Sequence, residues 1–133
     1  MKSDIASYLR AQGYEIVDFG THSEERVDYP DFACAMAEAI KSGKIARGIA
    51  LCGSGIGISI ALNRYAAVRA ALCHDAATAK LAREHNDANV LALGARLLSL
   101  ETALECVRVF LSTPFEGGRH ADRVKKLSSC GVK

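Results

Sequence analysis

Residues 48–51, Gly-Ile-Ala-Leu, form a short apolar run that ends at Cys52 and passes straight into a loop with glycine at Gly53, Gly55 and Gly57. A short apolar run bounded by glycines reads as a buried strand, and residues 58–65 continue as a helix. A strand that stops at a glycine-rich loop before a helix presents free backbone N–H groups, which suit an anion. Cys52 puts a thiol beside those donors. Together they suit making and holding an enediolate.

Helical and extended patterns alternate along the rest of the chain. Ile5, Tyr8 and Leu9 share one face of a helix over 4–12, which Gly13 stops. Residues 14–19 predict a strand closed by Gly20, and 21–28 a polar, charged loop. Pro30 opens a helix at the first-turn position that proline favours. Phe32, Ala33, Met36, Ala37 and Ile40 form its inner stripe, and Gly43 ends it. Residues 67–73 predict a strand, Asp75 caps a helix to about Glu84, and 90–93 predict a short strand ending at Gly94. Ser99 caps a helix that turns Ala103, Leu104, Val107, Phe110 and Leu111 inward. Pro114 and Gly117-Gly118 break the chain before a basic helix over 119–128.

Such a run predicts an α/β fold: a parallel sheet with helices on both faces, as one domain over residues 1–133. Ligands of such sheets bind at the carboxyl ends of the strands. Cys52, the turn after Phe19 and the segment after Cys73 are expected on that rim. One feature departs from the pattern. A doubly wound domain ordinarily opens on a strand that often lies centrally, and this chain opens on a helix. An absent central strand leaves its neighbours with unpaired backbone groups, at about 1–3 kcal/mol each.

With 133 residues, 50% of them hydrophobic, the chain can bury one real core and not two. Only 2 prolines and 11 glycines argue against disorder. A net charge of +2 is too small to imply a nucleic-acid or membrane partner. No apolar run approaches the ~20 residues of a membrane span, and the start carries no secretory pattern. The five cysteines are odd in number and have no CxxC spacing. Cys34, Cys73 and Cys106 lie in apolar segments and are expected as small buried hydrophobes in a reducing cytoplasm. Cys130 sits in the tail.

Six separated segments resemble the ribose-5-phosphate isomerase B family, which includes the galactose-6-phosphate isomerase subunits. They are VDFGT (17–21), DYP (28–30), CGSGIGIS (52–59), HNDANVL (85–91), LGAR (93–96) and FEGGRHADR (115–123), in the family's order over nearly the whole chain. The resemblance implies a Rossmann-like, three-layer αβα sandwich on a five-stranded parallel sheet. It also implies a cytoplasmic homodimer or dimer of dimers with shared active sites, using neither metal nor organic cofactor. The implied reaction interconverts an aldose phosphate and a ketose phosphate, as between ribose 5-phosphate and ribulose 5-phosphate in the pentose phosphate pathway. The family begins with a strand leading into an Asp-His-Ala-Gly-Phe-type loop, whose Asp and His help bind the sugar and open its ring. Here Met1-Lys2 aligns just after that loop. The expectation is an upstream start codon, because losing a central strand should exceed the ~5–15 kcal/mol a domain has to spare.

Residue by residue, the resemblance implies that Cys52 is the base that moves the proton between C1 and C2. Thiols at helix amino ends are suited to that task, and some family members use a carboxylate elsewhere instead. The N–H groups of Gly53, Ser54, Gly55, Ile56 and Gly57 would hold the enediolate oxygen, and the Ser54 hydroxyl would relay a proton. His85 would protonate the ring oxygen, with Asn86 beside it for sugar hydroxyls. Arg119 and Arg123, four apart and so on one helical face, make a fork for a dianionic phosphate in the neighbouring subunit's site. Arg96 is a weaker phosphate candidate, and Tyr29 lines the sugar pocket. His22, His74 and His120 are read as surface residues. The alternative is a non-catalytic sugar-phosphate-binding or structural subunit of a two-subunit isomerase, which the missing Asp-His loop favours. A nucleotide-binding domain fits poorly, since the glycines lack the GxGxxG spacing and no Walker lysine follows.

Overall fold

The computed structural model describes residues 1–20 and 29–131, with Tyr29 as backbone alone. Its elements in order are α1 (Lys2–Ala11), α2 (Tyr29–Lys41), β1 (Gly48–Cys52), α3 (Ile56–Leu62), β2 (Ala70–Leu72), α4 (Ala76–Asn86), β3 (Val90–Gly94), α5 (Leu100–Ser112) and α6 (Arg119–Ser129). The three strands are parallel in the order β1-β3-β2, with Gly48 opposite Val90 and Cys52 opposite Gly94. This is the α/β class the alternating pattern predicts.

All five residues of β3 are buried, as a strand with two neighbours and two covered faces requires. Its alternating side chains divide the core in two. Leu91 and Leu93 pack with Ile5 and Leu9 of α1, Ala79 and Ala82 of α4, and Cys106, Val107 and Phe110 of α5. Val90 and Ala92 face the other way, onto Ala33 and Ala37 of α2 and Ile58 and Leu62 of α3. The expected caps are in place. Asp75 Oδ1 accepts the Thr78 N–H at 2.8 Å, and Ser99 Oγ accepts the Thr102 N–H at 3.1 Å.

Three expectations need correction. Residues 14–19 form no strand. A groove of about 1220 Å³ separates them from β1, and neither has a pairing partner on that side among the described residues. An extended segment becomes a strand only when a ladder partner is within reach. The strand expected over 67–73 shortens to β2, because only Ala70–Leu72 run alongside β3. Cys34 is exposed, unlike the buried Cys73 and Cys106. The inner stripe of α2 runs through Ala33 and Ala37, and one residue's step of about 100° turns Cys34 outward. The polar loop expected over 21–28 lies outside the described residues.

One buried cation ties the elements at the amino ends of the strands. Arg83, 4% exposed, donates to the carbonyls of Ala88 at 2.6 Å and Thr113 at 3.2 Å, and to Asp87 Oδ1 at 2.8 Å. Its guanidinium also lies 5.8 Å from the Phe110 ring centroid. Asp87 ends α4 in the left-handed region at φ 46°, and Arg69 holds the same residue through its carbonyl at 2.9 Å. Replacing Arg83 by Met keeps the packing stem and removes every one of these donors. Urea unfolding of Arg83→Met should show a loss of about 2–6 kcal/mol, from two deprived carbonyls at roughly 1–3 each.

Candidate active site in two halves

The first half lies where β1 ends. Cys52 is half-buried, and its Sγ accepts the Gly55 N–H at 3.1 Å. Gly55 takes φ +78°, a left-handed turn that glycine adopts without strain. The Ile56 N–H donates to Ser54 Oγ at 3.2 Å. Two of the five N–H groups assigned to an oxyanion are therefore engaged inside the loop. Those of Gly53, Ser54 and Gly57 remain, and Gly57 lies in the first turn of α3, where N–H groups have no intrahelical partner. The loop is pinned to β3: the Ala95 N–H donates to the Cys52 carbonyl at 2.8 Å, and the Arg96 N–H to that of Gly53 at 3.0 Å. The Arg96 side chain lies over Gly53, bringing a cation to the loop.

The second half lies at the opposite rim. α4 starts at Asp75, just past the carboxyl end of β2, and runs back along the sheet for 11 residues, about 16 Å. It therefore delivers His85 and Asn86 to the amino ends of the strands. The segment after α5 returns to the same place, where the Glu116 N–H donates to the Glu84 carbonyl at 3.1 Å. α6 begins there with Arg119, His120 and Arg123.

His120 is not the surface residue expected. It is 6% exposed and stacks on His85, with ring centroids 4.3 Å apart and planes 15° from parallel. Its Nε2 is 3.8 Å from Glu116 Oε2. Burial lowers its pKa, and His85, Arg119 and Arg123 add to the effect against the opposing pull of Glu116. Glu116 lies ahead of α6, so no spacing within 115–123 signals the cluster, which the packing of α6 on α4 creates. The ligand atoms of His85, Glu116 and His120 lie within 4.8 Å of one another, close enough to hold a metal ion. The neighbouring arginines oppose a cation there and suit an anion instead.

One chain thus brings Cys52, Ser54 and Arg96 together, and separately His85, Asn86, Arg119 and Arg123, without joining the groups. β3 alone places about 13 Å between its Val90 end and the Gly94 end level with Cys52. The Tyr29 side chain lies outside the described residues.

The profile of the ribose/galactose isomerase family matches residues 1–127. The chain is 44% identical over 129 residues to ribose-5-phosphate isomerase B of Escherichia coli, covering 97% of this chain and 87% of that one. It is also 44% identical to a D-erythrulose-4-phosphate isomerase of Pectobacterium atrosepticum, covering 96% of this chain and 84% of the relative. Among solved structures, ribose-5-phosphate isomerase B of Clostridium thermocellum superposes with a TM-score of 0.94 at 54% identity, over 96% of this chain and 86% of that one. The chain belongs to the ribose/galactose isomerase family.

Two outcomes test the two halves. A Cβ on Gly94 would stand 2.6 Å from the Ser54 carbonyl oxygen. Gly94→Ala should therefore push the loop off β3 and cost about 1–3 kcal/mol in a thermal or urea melt. His120 ionises less readily folded than unfolded, where its pKa is the ordinary 6.5. Its contribution to stability is present above pH 6.5 and is lost as pH falls through the lowered folded value. Thermal melts at about pH 7.5 and about pH 5, on either side of the histidine range, should therefore fall less steeply for His120→Gln than for the wild type.

Proposed function

We propose that the chain interconverts an aldose phosphate and a ketose phosphate, with ribose 5-phosphate and ribulose 5-phosphate as the pair. It acts as one isomerase domain in a cytoplasmic homodimer or dimer of dimers whose active sites draw on both copies. The observation that carries this reading is the separation of two chemically complementary halves on opposite rims of one sheet. A base with amide donors stands on one rim, and a histidine with paired arginines on the other. A two-fold arrangement brings one half of each kind together twice.

The partner's Arg119 and Arg123 grip the phosphate dianion, each guanidinium offering forked donors. His85 protonates the ring oxygen as the C1–O bond breaks, while the anomeric hydroxyl gives its proton to solvent water and the C1 carbonyl forms. The Cys52 thiolate then takes the C2 proton, and the electron pair becomes the C1–C2 double bond while charge moves onto O1. The N–H groups of Gly53, Ser54 and Gly57 face that charge. Ser54 Oγ carries a proton between O2 and O1, and Cys52 returns its proton to C1. The step is redox-neutral within the sugar, so no cofactor enters. Asn86 and Tyr29 meet the sugar hydroxyls, and Arg96 supplies further positive charge on the Cys52 rim. Five free cysteines suit a reducing compartment.

Mixing tests both the base and the sharing of sites. Cys52→Ala and His85→Ala should each lower kcat by about 10²–10⁴-fold with little change in KM. Unfolded and refolded together in equal amounts, they should recover about a quarter of wild-type activity, since half the dimers then hold one intact site. Near-wild-type turnover by Cys52→Ala alone removes Cys52 from the mechanism. Absence of recovery on mixing places each site within one copy. An inactive wild-type chain favours the non-catalytic subunit.

A further inference from the structure

Of the residues of α6, His120 alone is buried. Burying a polar ring costs more than burying an apolar side chain of its size, so a residue that only filled space here would be expected to be apolar. The chain also turns sharply to deliver it. Gly117 and Gly118 take φ +69° and +54°, the left-handed region that glycine enters without strain. The His120 N–H then donates to the Gly117 carbonyl at 3.0 Å, and α6 packs on α4. Arg119 and Arg123 share one helical face, and the step of about 100° from Arg119 to the next residue turns the imidazole inward.

What it meets there is the ring of His85, with centroids 4.3 Å apart and planes 15° from parallel. His85 stands in the last turn of α4, where helices fray. Its ring torsion is of the broad, roughly two-fold kind that sets no angle by itself. Among the described residues no hydrogen bond reaches the His85 ring. The flat face of His120 is therefore what fixes its plane. The charged groups around His120 are Glu116 from the segment ahead of α6, and Arg119 and Arg123 from α6 itself. Burial, His85 and the two arginines lower the His120 pKa against the pull of Glu116. A neutral ring can stack on His85 whether or not His85 holds its proton, whereas a charged one would repel the protonated form.

We propose that His120 is a positioning residue for the isomerisation, holding the His85 imidazole in the plane from which it delivers a proton to the sugar's ring oxygen. This role rests on the isomerase reading for the chemistry of His85, and on the stack for its geometry. Proton transfer needs the ring nitrogen within hydrogen-bond reach of its acceptor, and a misplacement of about 1 Å can cost about 10²-fold.

Two substitutions separate the flat face from the nitrogens. His120→Leu keeps an apolar filler and removes the face; His120→Phe keeps the face and removes the nitrogens. With ribose 5-phosphate as substrate, His120→Leu should lower kcat about 10–100-fold and leave KM nearly unchanged, since Arg119 and Arg123 still hold the phosphate. His120→Phe should keep kcat within about 3-fold of wild type. In NMR spectra of the substrate-free protein, the ring current of the stacked face should shift the His85 ring protons upfield in wild type and His120→Phe, but not in His120→Leu. Wild-type kcat in a folded His120→Leu overturns the proposal. So does a Phe variant as slow as the Leu variant, which makes the nitrogens of His120 the working groups. A rise in KM alone overturns it too, by making His120 part of the phosphate grip. Should His120→Leu fail to fold, the Phe variant and the wild-type spectrum decide: a slow Phe variant, or His85 protons at ordinary shifts, overturns it. An inactive wild-type chain removes the isomerase reading, while the ring shifts still tell whether His120 holds the plane of His85.

Discussion

The Ser54 carbonyl oxygen lies 2.6 Å from where a Cβ on Gly94 would stand, so the loop after β1 closes on the end of β3 only because position 94 carries no side chain. Everything on the Cys52 rim depends on that approach. It lets Ala95 and Arg96 donate to the carbonyls of Cys52 and Gly53, which ends the β1–β3 ladder in an ordered turn. Gly55 is constrained from the other side, since a Cβ there would meet Leu72 at 2.6 Å and the Leu93 carbonyl carbon at 2.9 Å. The thiol is thereby fixed level with Gly94, with its Sγ accepting the Gly55 N–H.

The opposite rim is built by a different logic. Helices in such a sheet run back against the strands, so whatever ends α4 or begins α6 is carried away from Cys52. The sequence accordingly places Arg119 and Arg123 where its own thiol is out of reach. His120 sits with them, and burial beside His85 and two arginines favours its neutral form. A neutral ring can lie against another imidazole without adding to the positive charge that a phosphate would meet first.

Much of this could be read beforehand, for identifiable reasons. The helices were plain because their start and stop signals are local: Gly13 and Gly43 end α1 and α2, and α4 and α5 begin at the caps Asp75 and Ser99. Cys52 and its glycines were plain because a strand, a loop and a helix meet within ten residues. What failed was non-local. Residues 14–19 have strand composition but no ladder, and only the neighbouring strand decides that. The burial of His120 depends on α6 packing on α4, which no spacing within 115–123 reveals. Cys34 was misplaced by one step around a helix, the error to which apolar-run reading is most prone.

Arg83 has a consequence for motion. It clamps the turn after α4 to the turn after α5, while Glu116 is tied to Glu84 from the other direction. The end of α4, which carries His85, and the segment leading into α6 are therefore tied to each other. If the sites are shared as proposed, a sugar phosphate would pass in and out at the seam between that segment and the partner subunit's cysteine loop. On the shared-site proposal, entry and exit become a matter of how two molecules rock against each other, not of a flap opening within one.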